Sequence, residues 1–215
     1  MKHRRGFTLI EILVVVAIIA LLVAITMPSL AGARRASKAA RCQANLHSIG
    51  LAMKAYLHGN RDTFPHVEVL PESPDVPETL PLPIVLKNEL GSGGSKGVVK
   101  DPSGTGYTRG VIKNEVFLCP ADRITEDPTL GANRYYDAIH TSYDWNHLLN
   151  GERINFKTVV IQFENPPLPP KRFPQPISSV VVLYDLEEWH QENPDKKGAY
   201  NILYADMHIE ASPPG

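Results

Sequence analysis

Sulfur, net charge and aromatic residues are all scarce in this sequence. Two cysteines in 215 residues exclude a disulfide-dense miniature scaffold and a four-cysteine zinc module. A formal net charge of −1 argues against a general nucleic-acid binder, which carries a basic surface. The eight histidines are scattered, and none forms a His-x-x-x-His zinc pair. With 19 prolines and 15 glycines the chain is not globally low-complexity. It is long enough to bury a core as one domain or two. What abounds is aliphatic content, and it is unevenly placed.

Residues 12–33 contain no charged side chain. About 20 apolar residues span the hydrocarbon core of a bilayer, and residues 12–27 with the apolar residues before Glu11 reach that length. Lys2, Arg4 and Arg5 precede the run, and Arg34, Arg35, Lys38 and Arg41 follow it. The positive-inside rule is therefore ambiguous by counting. The short leader is the easier end to retain in the cytoplasm, so the bulk of the chain is expected outside.

Three readings compete. A secretory signal peptide would use Ala31-Gly32-Ala33 as its cleavage site, but the apolar run is longer than the usual core and includes Glu11. A plain membrane anchor explains the hydrophobicity but not Glu11, because a carboxylate at the end of such a span is costly. The third reading explains both. The string Gly6-Phe7-Thr8-Leu9-Ile10-Glu11 after a short basic leader resembles the type III signal of type IV pilins and type II secretion pseudopilins. The resemblance implies cleavage between Gly6 and Phe7 by a prepilin peptidase and methylation of Phe7. Glu11 and Pro28 fall on that family's assembly glutamate and helix-kinking proline. Losing residues 1–6 removes Lys2, Arg4 and Arg5 and makes the remainder more acidic.

After cleavage Phe7 carries a cationic amine, and Glu11 lies one helical turn away. Glu11 can simply answer the positive helix N-terminus, worth about 0.3–1 kcal/mol when exposed. It can also pair with the Phe7 amine of a neighbouring subunit, where a low dielectric strengthens the attraction and penalises an unpaired charge. At Pro28 a straight helix would bring the ring against the Ala24 carbonyl. The resemblance implies a kink or local melting there, and a simple helix end at the membrane surface is the plainer account.

Residues 29–59 are rich in good helix formers. Cys42, Leu46, Ile49, Met53 and Tyr56 recur at steps of four and three, one helical face, and Gly59-Asn60 is a stop. The basic side chains at 34–41 suit a solvated face and anionic lipid headgroups alike. A continuous helix over 7–58 would be roughly 78 Å long. Residues 64–83 and 166–176 each hold six prolines and read as extended loops. Residues 91–110 hold seven glycines, without the strand-then-helix context of a phosphate cradle. Strands are expected at 157–163, 178–184, 199–205 and 208–211, with a shorter candidate at 116–118. Without βαβ alternation this predicts an α+β fold: a long N-terminal transmembrane-plus-amphipathic helix packed on a small, mostly antiparallel sheet, a pilin-like layout. The expected organisation is a leader at 1–6, a transmembrane and assembly helix at 7–28, and a periplasmic head at 29–215 that includes the second half of the helix.

Three head motifs, Arg41-Cys42-Gln43-Ala44-Asn45-Leu46, Phe117-Leu118-Cys119-Pro120 and Leu203-Tyr204-Ala205-Asp206-Met207-His208, look like bacterial type II secretion-like pseudopilins with a cysteine pair. That branch often has glycine where Met207 stands. Cys42 and Cys119 are expected to form a disulfide outside the cytoplasm, two buried thiols being the alternative. Some pseudopilins bind calcium through a late acidic loop, which makes Asp185, Glu187 and Asp206 candidate ligands, against a merely solvated loop. No other cofactor is expected. Tyr135, Tyr136, Tyr143, Trp145 and His147 read as core or subunit contact, or else as a sugar-binding surface. Nothing assembles a nucleophile, a base and an oxyanion site, so the expected role is not enzymatic. The implied partners are a prepilin peptidase, further pseudopilins in a filament, an inner-membrane assembly platform and membrane lipid, but no nucleic acid. A membrane-tethered binding or adhesion module that never polymerises is the alternative from another class, and a cleaved secreted hydrolase is third.

Overall fold

The computed structural model describes residues 9–67, 82–91, 114–124, 133–139, 141–155, 157–163, 171–187, 189–190 and 200–211. Gly6 and Phe7 lie outside them. The chain divides into two compact units between Ser37 and Lys38. Helix α1, Leu9–Gly59, contributes to both.

The first unit is helical because its residues leave no alternative in an apolar medium. Backbone groups without water must pair within the segment, and only a helix does so locally. Residues Leu9–Met27 have a mean hydropathy of 3.1, and none is buried. Thr26 is back-bonded: its hydroxyl donates to Leu22 O at 3.0 Å and Val23 O at 3.3 Å, which removes the cost of an idle hydroxyl in an apolar setting. Pro28 lies inside α1, which is helical on both sides of it. The local melting and the helix end expected there do not occur.

In the second unit α1 is one-sided. Cys42, Leu46, Ile49 and Met53 are fully buried, with Ala52 and Leu57 nearly so. The helix stops at Gly59 as its sequence predicts. Asn60 N–H bonds Tyr56 O at 3.0 Å, its side-chain amide bonds the same carbonyl at 2.8 Å, and Asp62 N–H reaches Leu57 O at 2.8 Å. Arg61 and Asp62 take left-handed φ of 56° and 59° to turn the chain.

Among the described residues two further short α-helices follow, α2 at Leu82–Val85 and α3 at Tyr135–Ile139. The strands are β1 Tyr143–Trp145, β2 Thr158–Phe163, β3 Lys171–Pro176, β4 Val181–Asp185, β5 Asn201–Tyr204 and β6 Ile209–Ala211. A four-stranded antiparallel sheet runs in the order β1-β4-β5-β6, and β2 pairs with β3 in a separate hairpin. Tyr143 faces Asp185 across β1 and β4, and Leu183 faces Leu203 across β4 and β5. This is the α+β, pilin-like layout.

The core lies between the inner face of α1 and this sheet. A Cβ on Gly50 would sit 3.1 Å from Leu203 Cδ1, so glycine permits the close approach of helix to β5. Gln43 donates to Asn201 Oδ1 at 3.0 Å and Asn45 to Leu118 O at 2.8 Å. Phe64 meets Trp145 edge-on with ring centroids 6.0 Å apart.

Three expectations need correction. Residues 116–118 are not a strand: Glu115–Phe117 is a single 3-10 turn. Asn114 Oδ1 accepts from Val116 N–H at 3.1 Å, and such a cap favours a turn over an extended run. Part of the second proline-rich stretch pairs as β3. Pro174 and Pro176 are two residues apart, so both missing amides fall on one side of the strand, as an edge strand tolerates. Residues 143–145, read only as an aromatic stretch, form β1.

Candidate functional site

Two features carry chemistry, one in each unit. In the first, Leu9–Met27 presents leucine, isoleucine and valine to the outside on every side. Glu11 sits in the first turn of α1. The segment is long and apolar enough to cross a membrane.

In the second unit Cys42 on α1 is bonded to Cys119, which follows the Glu115–Phe117 turn. Both are fully buried, and the bridge spans a sequence separation of 77. Around it lie polar groups that are themselves sealed. Cys119 N–H donates to Ser142 Oγ at 3.0 Å, and Ser142 Oγ donates to Asp122 Oδ2 at 2.6 Å. Asp122 also accepts from Tyr135 N–H at 3.0 Å and Tyr136 N–H at 2.9 Å, at the start of α3. Burial pushes its carboxyl up, against the downward pull of those bonds. No sequence signal marks Asp122, because its partners are 13 to 20 residues away.

On the other side of the bridge His190 Nε2 lies 3.6 Å from Cys119 Sγ and 3.1 Å from Asp185 Oδ2. Asp185 ends β4 and accepts from Asn201 N–H at 2.7 Å and its side-chain amide at 2.9 Å. Tyr143 completes this wall, with its hydroxyl toward Cys42 O at 3.5 Å. Burial, then the Asp185 carboxylate, hold the Tyr143 phenol far above its ordinary range.

The calcium candidates are not brought together among the described residues. Asp185 is fully buried and engaged as above. Glu187 accepts from Tyr135 OH at 2.7 Å and Trp189 Nε1 at 3.3 Å. Asp206 sits in the β5–β6 turn and accepts from His208 N–H at 3.1 Å. In that turn Met207 has φ 71°, a left-handed backbone that suits glycine. The aromatic stretch is divided. Tyr136, Tyr143 and Trp145 are buried in the core. His147 instead lines a surface hollow with Asp144, Tyr184 and Tyr200. The spacing Gly93-Gly94-Ser95-Lys96-Gly97 is that of a nucleophile elbow, which requires a strand before and a helix after it. It lies outside the described residues.

Residues 1–27 match the family model described as the prokaryotic N-terminal methylation motif. This is the type IV prepilin-like signal, and it implies a prepilin peptidase and pilin-type assembly. No curated protein and no solved structure matches the chain. The chain therefore carries the signal of a pilin- or pseudopilin-like precursor, and the apolar part of that signal is a helix suited to anchoring in a membrane.

Proposed function

We propose that the chain is the precursor of a structural filament subunit, a pseudopilin of a type II secretion-like or type IV pilus-like system. It waits in the inner membrane with residues 29–215 in the periplasm. A prepilin peptidase cuts between Gly6 and Phe7 and methylates Phe7. The subunit then polymerises through residues 7–28, with Glu11 pairing to the methylated amine of a neighbour. It has no enzymatic role of its own. The observation that carries this reading is the methylation motif at residues 1–27, within which the helical residues Leu9–Met27 are strongly apolar and unburied. The head motifs around Cys42, Cys119 and Asp206 favour the secretion branch.

Intact mass and amino-terminal sequencing of the mature protein test the processing. A chain beginning at methylated Phe7 is expected. A chain beginning at Arg34 would mean an ordinary signal peptidase, and an intact leader would mean a plain anchor. For assembly, Glu11→Ala is expected to insert in the membrane as the parent does but to be lost from sheared filaments. Its normal incorporation would refute the pairing role of Glu11.

A further inference from the structure

The four-stranded sheet has a second face. Tyr143, Trp145, Leu183 and Leu203 are buried in the core against α1. The residues that alternate with them along the strands face the other way. Asp144 stands opposite Tyr184 across β1 and β4, and Tyr184 stands opposite Ile202 across β4 and β5. The row continues to Glu210 on β6. Beside it is a surface hollow of about 540 Å³, within the usual size of a small-molecule site, about 300–1,000 Å³.

Asp144 gives the hollow a carboxylate, and among the described residues no lysine or arginine lines it in answer. Tyr184 and Tyr200 add aromatic surface, and Val181, Leu186 and Ile202 add aliphatic surface. The two phenols are neighbours: burial, then Asp144, then the Tyr200 phenol push the Tyr184 proton's pKa up. The polar groups are already engaged. Tyr184 O–H donates to Asp144 Oδ2 at 2.6 Å, and Trp145 N–H donates to Asp144 Oδ1 at 2.8 Å. The Asn146 amide donates to Val181 O at 2.8 Å, and its Oδ1 accepts from Leu148 N–H at 3.2 Å. The hollow therefore offers negative charge and aromatic surface, with few spare acceptors. Guanidinium and primary ammonium groups bring several N–H donors, and most of these would go unanswered. A quaternary ammonium spreads its charge over methyl groups, has no donor to satisfy, and is attracted by aromatic rings.

We propose that this hollow binds a small quaternary ammonium compound, with the methylated head against Tyr184 and Tyr200 and its charge balanced by Asp144. Asp144 acts twice. Its charge attracts the cation, and its bond from Tyr184 O–H holds that phenol in place. A zwitterion such as a phosphocholine headgroup fits less well, because Asp144 repels its phosphate and no lysine or arginine among the described lining residues receives it. The ligand is therefore a free organic cation. The hollow lies on the side of the sheet away from α1, so the inference goes beyond the filament-subunit reading and does not depend on it.

The test uses the full chain in a maltoside detergent, titrated with choline chloride and followed by saturation transfer to the choline N-methyl protons, with empty micelles as the blank. A saturable signal is expected. The neutral tert-butyl analogue of choline is expected to bind at least about five-fold more weakly, because it keeps the shape and loses the charge. Ethanolamine and phosphocholine are each expected to bind more weakly than choline. Tyr184→Leu and Asp144→Asn are each expected to weaken choline binding about five-fold or more, whereas Tyr184→Phe keeps the ring and should stay within about three-fold. Circular dichroism checks that each variant is folded, and the comparison of ligands on the parent chain decides the matter if one is not. The proposal is overturned by the absence of a saturable choline signal. Equal binding of the neutral analogue, ethanolamine or phosphocholine overturns it too, as does parental affinity in folded Tyr184→Leu or Asp144→Asn.

Discussion

Replacing both Cys42 and Cys119 with alanine removes a cross-link between α1 and the loop before α3. The bridge closes a loop with a sequence separation of 77. By loop-closure entropy its removal frees the unfolded chain by about 4.5 kcal/mol at 25 °C. Both sulfurs are fully buried, so the alanines also leave two sulfur-sized voids, on the order of 1 kcal/mol more. Measured losses for native disulfides run at about 2–5 kcal/mol, which places the expected loss near the top of that range. A domain of this size commonly has about 5–15 kcal/mol in hand, so the variant should fold but marginally. The assay is urea unfolding of the full chain in a non-denaturing detergent, followed by tryptophan fluorescence. Trp145 and Trp189 are both buried in the second unit, so the signal reports that unit. The untied unfolded chain should also expand, which raises the slope of the transition. A loss below about 1 kcal/mol with an unchanged slope would refute the reasoning, since the bond would then constrain nothing in the unfolded chain.

Three other perturbations can be read in the same assay. Gly50→Val should cost about 2–4 kcal/mol, because its Cβ meets Leu203 Cδ1 at 3.1 Å and Leu203 is fully buried, so overpacking outweighs the helix propensity gained; parental stability would deny the close contact of α1 and β5. Asp122→Asn should cost about 2 kcal/mol, because one of two accepting oxygens becomes a donor facing either Tyr135 N–H or the Ser142 and Tyr136 donors; a change under about 0.5 kcal/mol would dismiss that network. Burial, then its hydrogen bond to Asp144, push the Tyr184 phenol up to about 12 from 10.0. The folded state then holds this proton longer than the unfolded one, so its contribution is intact below pH 10 and is lost as pH rises through about 12. Tyr184→Phe should therefore flatten the alkaline loss of stability, and identical slopes for variant and parent would contradict it.

How much of this was legible in the sequence depends on the range of the interactions involved. The buried face of α1 through Cys42, Leu46, Ile49 and Met53 follows from helical period alone, and the stop at Gly59 follows from local turn chemistry. Strands β2, β4, β5 and β6 lie within their expected windows to a residue or so. Strand β1 escaped because its three residues, although they alternate about Asp144, are too few to establish a period. Strand β3 escaped because proline argues against a strand unless both prolines share an unpaired edge, and that depends on register. The acidic side chains show the same limit more sharply. Asp185 and Glu187 read as metal ligands because carboxylates in a late loop attract cations. In the fold they are acceptors for Asn201, Tyr135 and Trp189. A carboxylate that meets its donors far along the chain looks the same in sequence as one that faces water.

The two regimes of α1 explain why the functional reading nonetheless rests on sequence. From Leu9 to Met27 every side of the helix is apolar and exposed. From Lys38 onward only one side is apolar, and the sheet covers it. In the first regime the surroundings decide the pattern, so composition alone reveals it. In the second, tertiary contacts decide it, and periodicity gives the face but not what meets it. The proposed processing and assembly belong to the first regime, where a short linear signal suffices for recognition. The cystine, His190 and Asp122 belong to the second. They become a single site only when β4, β5 and α3 close around one face of the helix.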